Sequence, residues 1–179
     1  MGSGSGLACD LTLNSSLTPE LRARYQDAAT VRRILGDAKT IAIIGLSTNP
    51  QKASQFVATY LKYHGYRIIP VHPKAATILG ETVYPSLAAI PEPVDVVCAF
   101  RPPAACPGIA EEAAAIGAKA LWLQLGIASA EAGEIAEAAG LDVVMDRCLK
   151  MEHGRYSGTM HWVGMNTGLL TAKRARSWV

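Results

Sequence analysis

The stretch TIAIIGLSTNPQKAS (residues 40–54) decides the fold. Its apolar run, Ile41 to Gly45, has no polar alternation, which is the pattern of a strand covered on both faces. The loop that follows leads into a helical pattern over 52–64, so strand, glycine turn and helix come in the order that opens a nucleotide-binding βαβ unit. A dinucleotide fingerprint would carry three glycines at this turn. Only Gly45 is present, and Ser47 and Pro50 replace the later ones. Gly45 still permits a tight turn. The free N–H groups and positive dipole end of the next helix suit a phosphate, with Ser47, Thr48 and Asn49 offering hydroxyl or amide donors and Lys52 a charge. The same residues would serve equally as a plain helix cap.

Outward from this unit the alternation continues. Arg67–Val71, Val94–Phe100, Ala120–Leu125 and Asp142–Met145 are short apolar runs, with helix candidates at about 104–117 and 129–139 and a shorter turn or helix near 85–89. Crossovers of this length return the chain in parallel, and the right-handed rule then gives an open sheet with helices on both faces. The fold class expected is α/β: a Rossmann-like five-stranded parallel sheet of order 3-2-1-4-5. Ahead of it, residues 18–36 carry Pro at a first-turn position and Gly at the end, the punctuation of one N-terminal helix. Residues 1–17 are expected to be a tag or disordered N-terminus, 18–150 the binding domain, and 151–179 an irregular arm, because from about Cys148 the chain mixes glycine, aromatic and polar residues with no sustained period.

Composition bounds the function. With 179 residues, 50% of them hydrophobic and 18% charged, the chain supports one globular domain with a real core. No apolar run approaches the roughly 18 residues of a membrane span. The net charge of +2 is scattered, with no basic stripe, which argues against nucleic acid. Four cysteines (Cys9, Cys98, Cys106, Cys148) form neither a CxxC pair nor a secreted disulfide framework, so a reducing cytoplasm is the expected compartment.

Ligands of open α/β sheets bind at the carboxyl ends of the strands, where the strand order reverses. The second strand ends Val71-His72-Pro73-Lys74, with no Asp or Glu to accept from ribose hydroxyls as NAD sites require. Lys74, helped by His72, would instead attract a phosphate on the ribose, as CoA or NADP carries. An exposed loop lysine would look the same. The third end, Phe100-Arg101-Pro102, makes an aromatic and cationic rim stiffened by proline. The alternative is a core Phe100 with Arg101 paired to a surface carboxylate. The fourth, Gln124-Leu125-Gly126, offers an amide and a close-approach glycine. At the fifth, Asp146 and Arg147 read as an ion pair.

These segments resemble, in this order, the stand-alone CoA-binding proteins related to the CoA-binding domain of the succinyl-CoA synthetase alpha subunit. The resemblance runs from Lys39 to Glu152 through GLSTNPQKAS, GYRIIPVHPK, LGETVYPSLAAIP, VDVVCAFRPP, GAKALWLQLGI and AGLDVVMDRCLKMEH. It implies a CoA site with the pyrophosphate near Gly45, Ser47 and Lys52, and with Val71 and Lys74 near the adenosine and its 3′-phosphate. The Phe100–Pro102 rim and Gln124–Gly126 would lie along the ligand. The synthetases' glycine-rich turn is replaced here by Ser47-Thr48-Asn49-Pro50, and their phosphohistidine domain is absent from the resemblance, so ligase chemistry does not carry over.

No nucleophile, base and orienting partner assemble from the sequence. The leading expectation is therefore a CoA or acyl-CoA binding protein without catalytic machinery, sensing or presenting its ligand. An NADP-dependent oxidoreductase, and a regulatory or assembly protein with a non-functional pocket, are the alternatives. Cys106 or Cys148 exchanging a disulfide with CoA is a further hypothesis, since thiolates beside positive charge become reactive. Glu152, His153 and His161 fit none of the common zinc spacings, and no metal is expected. Trp162 would anchor the arm, either as a lid or in a homodimer contact.

Overall fold

The computed structural model describes residues 17–157. The apolar runs form β1 (Thr40–Ile44), β2 (Arg67–Val71), β5 (Val96–Ala99), β6 (Ala120–Leu123) and β7 (Asp142–Val144). Between β2 and β5 lies a short antiparallel ribbon, β3 (Thr77–Ile78) with β4 (Glu81–Thr82). The five longer strands join in one sheet ordered β2-β1-β5-β6-β7, and every pairing is parallel. The Rossmann-like α/β class is as the sequence implies.

The strand order is not the one expected. Counting the five strands along the chain, it is 2-1-3-4-5 in place of 3-2-1-4-5. A third strand cannot join beyond β2, because the chain that leaves β2 folds back on that edge. Tyr84 forms a parallel bridge with Val71, its N–H donating to Pro70 O and its carbonyl accepting from His72 N. The connection, which holds the ribbon and a 3-10 turn at Leu87–Ala89 but no α-helix, then carries β5 to the other side of β1. The sheet therefore reverses direction between β1 and β5, beside the glycine turn.

Helices cover both faces: α1 (Pro19–Tyr25), α2 (Ala28–Asp37), α3 (Ala53–Tyr63), α4 (Cys106–Ala115), α5 (Ala130–Ala138) and α6 (Leu149–Tyr156). Alternate strand residues feed two cores, as the pleat requires. Ile41, Ile43, Cys98 and Trp122 pack with Val57 and Leu61 of α3 and Leu149 of α6, whereas Ala42, Val97 and Leu121 pack with Ile109 of α4 and Ala136 of α5. Each fully buried Ile or Leu stabilises the fold by about 1.5–3 kcal/mol.

The single N-terminal helix expected over 18–36 is two. Gln26 ends the first, its N–H donating to Arg22 O and its side-chain amide to the carbonyl of Met145, and Asp27 caps the second by accepting from Thr30 N. A second correction concerns the chain after Cys148. Residues 149–156 are helical and packed on α3 and α2, and the buried side chains of α6 include Glu152, His153 and Arg155. A helix that buries polar groups has no apolar stripe to betray it. Residues 1–16 and 158–179, with the expectations for Cys9, His161 and Trp162, lie outside the described residues.

Candidate functional site

Parallel register sets the site. Ile44, the last residue of β1, stands opposite Val71 on one side and Ala99 on the other. Gly45, His72 and Phe100 therefore leave the sheet side by side, at the point where its order reverses. This is the crevice in which ligands of open α/β sheets sit.

The glycine turn is held from within. Gly45 has φ +82°, and Leu46 is fully buried beneath the turn. Ser47 N donates to Ser54 Oγ (3.1 Å), and Ser47 O accepts from the side-chain amide of Gln55. Ser47 Oγ accepts from Asn49 N (3.1 Å), and Asn49 Oδ1 accepts from Gln51 N (2.9 Å). The helix that follows has Lys52 at its capping position, a side chain with no acceptor to give, so no side chain caps its first turn. The expected choice between phosphate donor and helix cap is thus resolved in part: Ser47 and Asn49 shape the turn, and neither caps α3. Thr48 and Lys52 are exposed on it. Ser54 and Gln55, missing from the sequence reading, are the buried polar groups that fix it, and their signal was polarity on the inner face of an otherwise apolar helix.

On the β2 side, Val71 is buried and His72 half-buried, and His72 Nδ1 accepts from Lys74 N (3.1 Å), which leaves the proton of the neutral ring on Nε2. Lys74 is exposed at the tip of this turn. On the β5 side, Phe100 N donates to Ile44 O (2.9 Å), Phe100 is half-buried against the core, and Arg101 and Pro102 are exposed. The Arg101 side chain runs past Gly45, where a Cβ would meet its Cδ at 3.0 Å. Gly45, Ser47, Thr48, Asn49, Lys52, His72, Lys74, Phe100, Arg101 and Pro102 therefore share one rim.

The fourth strand end behaves differently. Gln124 is 2% exposed, and its amide is committed inward: Nε2 donates to Cys98 Sγ (3.1 Å) and Oε1 accepts from Leu149 N (3.3 Å). Gln124 ties α6 to the sheet. Gly126, exposed with φ +81°, donates its N–H to Asp146 Oδ1 (2.6 Å). Arg147 approaches Glu152 at 3.5 Å, so the expected Asp146–Arg147 ion pair gives way to contacts with more distant residues.

Among the described residues, burial works against thiolate formation at all three cysteines. Burial pushes the Cys98 thiol up to about 12, and burial also raises the Cys106 and Cys148 thiols. Cys106 Sγ lies 3.6 Å from Pro102 O. The disulfide-exchange hypothesis needs a thiolate, and these surroundings disfavour one. Among the described residues no three His, Cys, Asp or Glu side chains gather as a metal site. Glu152 instead pairs with Arg155 (2.8 Å), and His153 Nδ1 with the Tyr60 hydroxyl (3.0 Å). Nor is any described helix long and apolar enough to cross a membrane.

Comparisons with known proteins show the family. The profile of the family described as CoA binding domain matches residues 39–154. The uncharacterized protein YneT of Bacillus subtilis (strain 168) is 38% identical over 125 residues, covering 70% of this chain and 93% of its own. A hypothetical protein from Pyrococcus horikoshii OT3 has a solved structure that superposes with TM-score 0.70 at 38% identity, over 73% of this chain and 92% of that one. Acetate–CoA ligase [ADP-forming] I of Archaeoglobus fulgidus is 32% identical over 123 residues, 63% of this chain but only 18% of the ligase.

Proposed function

Because this chain belongs to the family of CoA binding domains, we propose that the β1–β5 crevice binds coenzyme A or an acyl-CoA, and that the chain senses or presents this ligand without transforming it. The pyrophosphate rests on the 45–52 turn, against its amides, Ser47 and Lys52. The adenosine extends over Val71 and His72, and Lys74 meets the 3′-phosphate. The pantetheine arm follows Phe100, Arg101 and Pro102 toward Gly126, over a floor that Gln124 supports from below. A reducing cytoplasm suits the three described thiols, all of them free.

The observation that carries this reading is the register of the three central strand ends. It puts an uncapped helix start between two cationic flanks, Lys74 and Arg101, with no carboxylate at the end of β2. A ribose bearing a phosphate fits such a rim better than the free ribose hydroxyls of NAD. Ligase chemistry is left with the longer relatives, of which this chain matches less than a fifth.

Calorimetry with CoA, dephospho-CoA, NADP and NAD in parallel tests the proposal. CoA is expected to bind more tightly than dephospho-CoA, and NAD not to bind. Preference for NADP over CoA would replace the proposal with a nicotinamide-dependent activity, and silence from all four would leave an assembly or regulatory role.

A further inference from the structure

Guanidinium groups gather at α6 around a single carboxylate. Arg155 Nη1 donates to both oxygens of Glu152, at 2.9 and 2.8 Å, and Arg147 Nη1 approaches Glu152 Oε1 at 3.5 Å. Arg32 and Arg155 both stand over the Tyr156 ring, their Cζ atoms 5.4 and 5.9 Å from its centroid. Among the described residues Glu152 is the one carboxylate that pairs with Arg147 or Arg155, so one positive charge is left over. Arg147 reaches solvent with 28% of its side chain, but Arg155 and Glu152 are each only 3% exposed. The surplus therefore sits largely inside the protein, where a charge without a counter-charge is costly.

A second observation is independent of that charge count. Nε and Nη2 of Arg155 are buried and meet no acceptor among the described residues. In a planar guanidinium these two N–H groups run parallel along one edge, and that edge grips two oxygens of a carboxylate or phosphate at once. Glu152 is held through Nη1 alone, so the ion pair leaves the two-pronged edge unused. Buried polar groups of folded proteins nearly always find a partner, and two orphans on one edge point to a ligand with paired, negatively charged oxygens. A route exists from the carboxyl edge of the sheet. Arg147 lies there between β7 and α6, its carbonyl fixed by Trp122 Nε1 (2.7 Å), and it is the member of the pair of arginines that solvent reaches.

We propose that the Nε and Nη2 edge of Arg155 binds a small oxyanion from solution, a carboxylate or a phosphate, which Arg147 attracts and whose charge balances the cluster. The site does not rest on the coenzyme A reading. Its occupant ties the interior of α6 to the end of β7, and α6 in turn holds Gln124 beneath the crevice through Leu149 N.

The test is a side-chain measurement on the full chain. With nitrogen-15 in its arginines, the Nε–H signal of Arg155 is identified by its contacts with the Tyr156 ring, and by its loss in Arg155→Lys where that variant folds. The signal is followed while inorganic phosphate, acetate or chloride is added at constant ionic strength. A saturable displacement by phosphate or acetate, with little from chloride, is expected. The readout is local to Arg155, so phosphate resting on the 45–52 turn does not reproduce it. Arg147→Gln, at a half-buried position, removes the surplus charge and is expected to weaken the affinity read at Arg155 by about tenfold, the loss of one charge-assisted contact. A signal that none of the three anions moves would overturn the proposal. Chloride acting as strongly as the oxyanions would overturn the two-pronged recognition, and an affinity unchanged in Arg147→Gln would overturn the part given to Arg147.

Discussion

A Cβ built on Gly45 would stand 2.6 Å from the carbonyl oxygen of Phe100, and Phe100 N already donates to Ile44 O. The two strand ends on either side of the crevice are thus in backbone contact, and a side chain at 45 would force them apart. Gly45→Ala combines this clash with a left-handed backbone (φ +82°) that costs an alanine about 1–2 kcal/mol by itself. The variant is expected to lose at least that much stability in urea unfolding and most of its CoA affinity, since the opening crevice misplaces both rims.

Lys74 lies exposed at the end of β2, its N–H held by His72 Nδ1. If its ammonium meets the 3′-phosphate, Lys74→Ala removes a charge-assisted contact of roughly 1.5–3 kcal/mol. CoA binding should weaken by that amount in calorimetry and dephospho-CoA binding hardly at all. Equal losses for the two ligands would move the phosphate elsewhere. The fold is expected to be unaffected, because Lys74 is exposed.

His153 is a pH-sensitive point in the packing of α6. Burial lowers its pKa first, and the nearby His64 lowers it further, their ring centroids 4.8 Å apart. A base whose folded value lies below its unfolded value is neutral when packed, so the unfolded chain takes up the proton first. The contribution to stability is therefore whole above the ordinary value of 6.5 and is lost as pH falls through it toward the folded value. Urea midpoints should decline between about pH 7 and 5, and His153→Gln should flatten that decline while keeping a partner for Tyr60. An unchanged slope in the variant would assign the titration to another group.

The sequence shows what periodicity can and cannot carry. Strands such as Ile41–Ile44 and Val96–Ala99 were legible because they are buried on both faces and so uniformly apolar. The strand order was not, because it turns on one backbone bridge, Val71 to Tyr84, that blocks the β2 edge and leaves no mark in side-chain pattern. Helix α6 was hidden for the opposite reason: Glu152 and Arg155 neutralise each other inside, so polarity at those positions reads as solvent exposure. The positions of Gly45, Ser47, Lys74 and Arg101 beyond the strand ends follow from the strand pattern alone, whereas the inward turn of Gln124 depends on Cys98 and Leu149, residues 26 and 25 positions away.

At the opposite edge of the sheet, Asp95 fastens three strands together. Its Oδ2 accepts from Lys39 N (2.8 Å), Thr40 N (3.0 Å) and Thr40 Oγ1 (3.1 Å), and its Oδ1 meets Lys119 Nζ at 2.8 Å. Burial alone would raise this carboxyl, yet the hydrogen bonds from Lys119, Lys39 and Thr40 outweigh it and hold the group well below the usual carboxylate range. Its stabilisation is consequently full above the ordinary value of 3.8 and is lost as pH falls through that value toward the lower folded one. Asp95→Ala leaves two backbone amides without their acceptor and should cost about 1.5–3 kcal/mol at pH 7. Urea unfolding of the two proteins at pH 7, 5 and 3 checks the sign, because the gap between them must stay constant from 7 to 5 and narrow only as the wild-type carboxylate takes up its proton. A gap that widens in acid would mean that Asp95 is protonated in the native state and that the amino edge is held by something else.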